Sequence, residues 1–247
     1  AAMAERKIVT VLDPQDEYPH EPDPAPNYNE SMYLNAFDLG KEAGGWFRIG
    51  NRVNEGYAEM TVCIYLPADA DGVRKVGFVY ARPQIDNNDE MDAGGLSIEV
   101  IEPFEKLKVR YEGKVCLLDE PAQMADPRTA FKENPWVECE VDLDYRGVSP
   151  MYGGKPQYDD GTEIEVDPEQ SFAKAHYEQH CSVTGTIRVG DVAFEIDGLG
   201  LRDKSWGPRH WQAISWYRWI PLTFSEDFAM MISIVGGRPG GMVLEGG

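Results

Sequence analysis

Positive charge is what this chain has least of. Among 247 residues, Lys and Arg number 23 against 43 Asp and Glu, a formal net charge of −20. Such a surface repels phosphate backbones and anionic lipid headgroups. Nucleic acid and peripheral membrane binding are therefore argued against, and the acidity reads first as solubility. Long apolar runs are missing too. No segment is long enough to span a bilayer and no apolar leader core stands near the start, so membrane insertion is not expected. Cysteine is scarce, and Cys63, Cys116, Cys139 and Cys181 show no Cys-x-x-Cys spacing. That argues against zinc knuckles and thioredoxin-type motifs. Three of the four lie in alternating or apolar runs, where a reduced thiol is a small core residue, and a reducing, cytoplasmic setting follows. Sustained helical periodicity is also absent, which disfavours a helix-packed parallel sheet. Neither a Gly-x-Ser-x-Gly elbow nor a Walker loop occurs, and Ser205 sits in Lys-Ser-Trp-Gly instead.

What the sequence does have is alternation. Val137, Cys139, Val141, Leu143 and Tyr145 share one face of a strand. Runs at 30–38, 44–50, 57–66, 73–80, 96–101, 107–111 and 113–118 read the same way, separated by glycine, proline and aspartate turns. Residues 183–196 form the strongest hairpin signal, turning at Gly190-Asp191. Many short strands at this spacing point to an all-β barrel or sandwich. Residues 13–28 carry five prolines and read as an extended lead-in lying on a surface. Residues 146–170 are rich in Gly, Pro and Asp and read as a long connection.

Two segments could carry chemistry. In Asp197-Gly-Leu-Gly-Leu-Arg-Asp-Lys-Ser-Trp-Gly-Pro-Arg-His-Trp211, charge and tryptophan are densest. The glycines at 198 and 200 permit close backbone approach, without the third glycine of a dinucleotide fingerprint. Asp203 can pair with Arg202 or Arg209, and Trp206 and Trp211 offer flat apolar surface. A braced loop, with no chemistry, explains the same residues. In His176-Tyr-Glu-Gln-His180, a strand puts His176, Glu178 and His180 on one face and Tyr177 and Gln179 on the other. Such a face could take zinc or act as an acid–base group, but hydrogen bonding to loops is the preferred reading. No metal and no cofactor are expected.

Gly198-Leu-Gly-Leu-Arg-Asp-Lys-Ser-Trp-Gly-Pro-Arg-His-Trp211 resembles the Gly-x-Gly-x-Arg-Asp-His-Ser-Trp-Gly-x-Arg motif of the AttH-like and carotenoid 1,2-hydratase-like proteins. Glu30–Asp38, Arg48–Gly56 and His176–Gln179 are similar to a bacterial branch of that group. The resemblance implies two consecutive lipocalin-like (calycin) β-barrels. The lead-in would be 1–29, the first β domain 30–165, and the second 166–247, incomplete at the end of this sequence. It also implies an apolar small molecule held in a barrel cavity and hydrated, isomerised or cyclised by a hydratase/lyase- or isomerase-type enzyme. A dry cavity, aromatic walls and one acid suffice for that chemistry. Asp203, His176 and Tyr177 are then the candidate catalytic residues. Trp206, Trp211, Arg209, Glu178, Gln179 and Lys204 are the candidate ligand contacts. Lys204 stands where the motif has His, and histidine titrates near neutrality whereas lysine does so only when desolvated. A non-catalytic carrier and a structural or accessory module are the alternatives.

Overall fold

A computed structural model describes residues 6–164, 173–210 and 214–236, together with the backbone of 244–246. Fifteen strands are assigned among them: β1 (Ile8–Val11), β2 (Tyr28–Asp38), β3 (Ala43–Arg52), β4 (Tyr57–Tyr65), β5 (Val76–Ala81), β6 (Asp92–Ala93), β7 (Leu96–Glu102), β8 (Lys106–Leu118), β9 (Trp136–Gly147), β10 (Tyr152–Tyr158), β11 (Ala175–Val189), β12 (Val192–Pro208), β13 (Trp216–Ser225), β14 (Phe228–Gly236) and β15 (Leu244–Gly246). One short helix, α1 (Pro127–Glu133), lies in the polar stretch after β8, capped by the Asp126 carboxylate on the Thr129 N–H.

Eight of these strands close a ring. The pairing runs β11, β12, β2, β3, β4, β5, β8 and β9, and β9 pairs back onto β11, all antiparallel. Closure leaves these eight staves without a free edge. The alternation read from β9 holds: Cys139, Val141, Leu143 and Tyr145 are buried while the residues between them are exposed. They join Met32, Leu34, Phe47, Ile49, Val62, Leu107 and others in one apolar core along the barrel axis.

The ring crosses the boundary expected at 165/166. β11 pairs with β9 and β12 with β2, so two of the ring's ladders join residues on either side of it. β13, β14 and β15 form a separate antiparallel sheet.

The glycines of the 198–200 motif explain part of the closure. A Cβ on Gly200 would stand 2.0 Å from the Asn35 carbonyl oxygen, and one on Gly198 2.2 Å from that of Phe37. Only glycine lets β12 lie this close to β2.

The lead-in is pinned to the barrel at a few buried points, while most of its residues stay exposed or half-buried. A 3-10 turn at Pro14–Glu17 carries Asp16 and Glu17 into buried positions over one end of the barrel. Arg202 Nη1 donates to Glu17 Oε2 at 2.5 Å, and Tyr177 hydroxyl bonds the other oxygen. Lys204 Nζ donates to the carbonyls of Asp16 and Tyr18, each at 2.7 Å, and stands 2.9 Å from Glu30 Oε1.

Candidate functional site

β11 and β12 pair so that Glu178 stands opposite Asp203, Tyr177 opposite Lys204 and Gln179 opposite Arg202. Side chains alternate across a sheet, so the candidate residues divide into two sets. Tyr177, Gln179, Arg202, Lys204 and Trp206 take the inner side with the lead-in. His176, Glu178, His180, Asp203 and Ser205 take the outer side.

The inner set is a brace. Tyr177 is fully buried, and Trp206 is close to it. Their rings meet edge to face at 6.1 Å, while His20 stacks on Trp206 at 4.1 Å. Gln179 Nε2 donates to the carbonyls of Phe104 and Ser149 at 2.9 and 2.8 Å. Burial, then the neighbouring Glu17 carboxylate, push the Tyr177 hydroxyl well above its ordinary pKa. Burial pulls the Lys204 ammonium down against the opposing pull of Glu30. Burial also disfavours charge on Glu30, but His20 and Lys204 outweigh it and hold the carboxyl at about 2. Tyr177 therefore does not meet His176 at a common site, and Lys204 serves the lead-in.

On the outer side three groups do converge. His176 Nε2 lies 2.5 Å from Asp203 Oδ2 and 3.2 Å from Glu178 Oε1. The donor atoms of the three residues all fall within 4.8 Å of one another. Burial resists a charge on the ring, yet Asp203 and then Glu178 more than offset it and raise His176 to about 10. The imidazole is thus protonated at neutral pH. Arg209 Nη2 donates to Ser205 Oγ at 2.6 Å. Burial lowers its guanidinium to about 10, against the opposing charge of Asp203. Asp203 is thus flanked by cations on two sides.

β13 lies against this outer face. Trp219 Nε1 donates to Glu178 Oε1 at 2.7 Å, and His180 Nδ1 is hydrogen-bonded to Thr223 Oγ1 at 2.6 Å. Trp219 meets Tyr33 edge to face at 5.6 Å, Tyr33 meets Trp46 at 5.9 Å, and Trp46 meets Phe78 at 6.3 Å. A row of partly exposed aromatic rings therefore leads away from the trio along the barrel wall. Tyr33, Trp46 and Trp219 were not among the residues singled out from the sequence. Alternation in β2 does place Tyr33 opposite in facing to Met32 and Leu34, but nothing local ties it to Trp219. Trp211 lies outside the described residues. Two open clefts of about 550 and 710 Å³ lie elsewhere on the outer wall, and neither is lined by His176, Tyr177 or Asp203.

All four cysteines are buried free thiols. Among the described residues no helix is long and apolar enough to cross a membrane. A family described as "Domain of unknown function (DUF7064)" matches residues 13–247. The chain belongs to this DUF7064 family. No curated protein matches it in sequence. Among solved structures, one described as a "putative AttH" from Nitrosomonas europaea superposes with a TM-score of 0.56 at 15% identity, covering 94% of this chain and 66% of its own. A second, CghA, gives 0.39 at 12% identity, covering 87% of this chain and 55% of its own. The DUF7064 chain thus spans about two thirds of the AttH-type chain and about half of CghA. The first likeness agrees with the ring of strands: the fold is all-β and lipocalin-like.

Proposed function

We propose that this DUF7064 protein binds an apolar small molecule in the seam where β13 meets the outer barrel wall, with its polar end at His176. The observation that carries this reading is the juxtaposition of the trio with the aromatic row Trp219, Tyr33 and Trp46. Flat apolar rings beside a few convergent polar groups suit a molecule that is apolar along its length and polar at one end. The barrel axis is a weaker candidate, because apolar side chains fill it and the lead-in covers one end.

Binding is favoured over hydration of an isolated alkene. An imidazolium held at about 10 keeps its proton at neutral pH, whereas protonating an alkene calls for a strong acid. Acid–base turnover, as isomerisation or cyclisation, is the second reading. It is favoured by one ring proton lying within reach of two carboxylates, so that it can be passed with little movement. An interaction module is the third, favoured by Trp216, Tyr217, Phe224 and Phe228, each at least half exposed on the β13–β14 hairpin.

Tryptophan fluorescence titration with alkenes, terpenoids, steroids and aromatic acids tests the first reading. Trp219→Ala and Tyr33→Ala should each weaken a ligand found this way by about tenfold or more, since a buried aromatic contact contributes of order 1.5–3 kcal/mol. Unchanged affinity in both variants would move the site elsewhere. Product analysis on the same ligands separates turnover from carriage.

A further inference from the structure

The trio poses a problem of valence. His176 Nε2 carries at most one hydrogen, yet it faces carboxylate oxygens of both Asp203 and Glu178, at 2.5 and 3.2 Å. Glu178 is only 3% exposed. Its Oε1 takes the Trp219 N–H and stands 3.2 Å from the imidazole nitrogen. A carboxylate buried this deeply keeps its charge at a cost unless a positive partner balances it. With a neutral imidazole the three groups carry two negative charges, which a divalent cation would balance.

We propose that His176, Glu178 and Asp203 form a divalent-cation site, with one imidazole and two carboxylates as ligands and the cation in place of the ring proton. The strand register builds it. His176 and Glu178 are two residues apart on one face of β11, and Asp203 stands directly opposite Glu178 on β12. Ligand atoms held on bonds of about 2.0–2.2 Å around a tetrahedral zinc stand roughly 3.3 Å apart. The His176–Glu178 separation of 3.2 Å already meets this, and the 2.5 Å contact to Asp203 opens to it by less than about 1 Å. The Trp219 N–H orients the Glu178 carboxylate, as outer partners commonly do for metal ligands. His176 is 39% exposed in its side chain, which leaves a position open to water or to a bound molecule. An imidazole with two carboxylates suits zinc or manganese better than magnesium or calcium, which favour oxygen alone. The site does not depend on the apolar-ligand reading of the seam, although both use His176.

Chelator-treated protein titrated calorimetrically with zinc chloride, and separately with manganese chloride, tests the proposal without any other ligand. One site per chain is expected. Asp203→Asn and His176→Ala should each weaken it about a hundredfold or more, and Asp144→Asn, on an exposed acid of β9, should leave it unchanged. Cobalt offers a second readout that does not depend on a variant's folding: d–d bands of a four- or five-coordinate site should appear in the unaltered protein. No saturable heat up to about 1 mM zinc, a bandless cobalt spectrum, or full affinity in both ligand variants would overturn the site. In the first two cases the apolar-ligand reading still stands, whereas zinc binding without ligand binding overturns that reading alone.

Discussion

Lys204 shows how one residue can change the meaning of a motif. Its ammonium has three N–H groups, and three oxygens receive them: the carbonyls of Asp16 and Tyr18 and the carboxylate of Glu30. Histidine, which the resembling motif has here, is shorter and offers at most two. Lys204 therefore clamps the lead-in from inside the barrel and does not replace a proton donor. Lys204→Met keeps the bulk but leaves Glu30 buried with less compensating charge. Breaking a buried pair in this way costs about 3–5 kcal/mol, and the urea unfolding midpoint should fall accordingly. A midpoint within error of the unaltered protein would mean that the clamp carries no stability. Across the sheet, Asp203 performs the opposite service for His176. It is the larger of the two carboxylate influences that hold the ring protonated. In metal-free protein, Asp203→Asn should bring the His176 titration, followed by NMR of its ring carbon, back toward the ordinary histidine range, with Glu178 alone sustaining part of the shift.

At the scale of strands, β12 is the element on which the barrel turns. It pairs with β11 along fifteen residues and with β2 along ten. Gly200 lets it do so, because any Cβ there meets the Asn35 carbonyl 2.0 Å away. Gly200→Ala should therefore destabilise by about 1–3 kcal/mol through backbone displacement, readable in a thermal melt, whereas Gly72→Ala has open space around it and is limited to the strain of its left-handed φ of 79°. Much of this was legible in the sequence. Period-two alternation found β2, β3, β4, β7 and β9, and it already set Tyr177 on the face opposite His176. The closure was not legible. That β9 returns to β11 depends on a ladder across about forty residues of chain, and no local pattern records such pairing. The anchoring of the lead-in was hidden because its prolines describe its conformation and not its partners, Arg202 and Lys204, which are remote in sequence. The outer site was half legible: the spacing put His176 and Glu178 on one face with His180, and the motif at 197–211 named Asp203, but Trp219 and Tyr33 reach them only through the packing of β13.

For the whole molecule, the two buried charge systems respond to pH in opposite directions and so confine maximum stability to a window. Glu30 has a folded pKa of about 2 against an ordinary 4.5. Its contribution is present above 4.5 and is lost as pH falls toward 2. At 1.36 kcal/mol per unit this is on the order of 3 kcal/mol. His176 moves the other way, from 6.5 to about 10. Its contribution is complete below 6.5 and is lost as pH rises through 10, with a size reduced by solvent screening because the ring is partly exposed. Both are at full strength together only between about pH 4.5 and 6.5. Urea midpoints of metal-free protein measured across pH should therefore peak in that interval, falling on both sides. His176→Gln should flatten the alkaline limb while sparing the acid one, since Glu30 lies on the opposite side of the sheet. If the midpoint instead stayed level from pH 6.5 to 10 in the unaltered protein, the imidazole would not be held charged in the folded state, and the seam would have lost its fixed positive group.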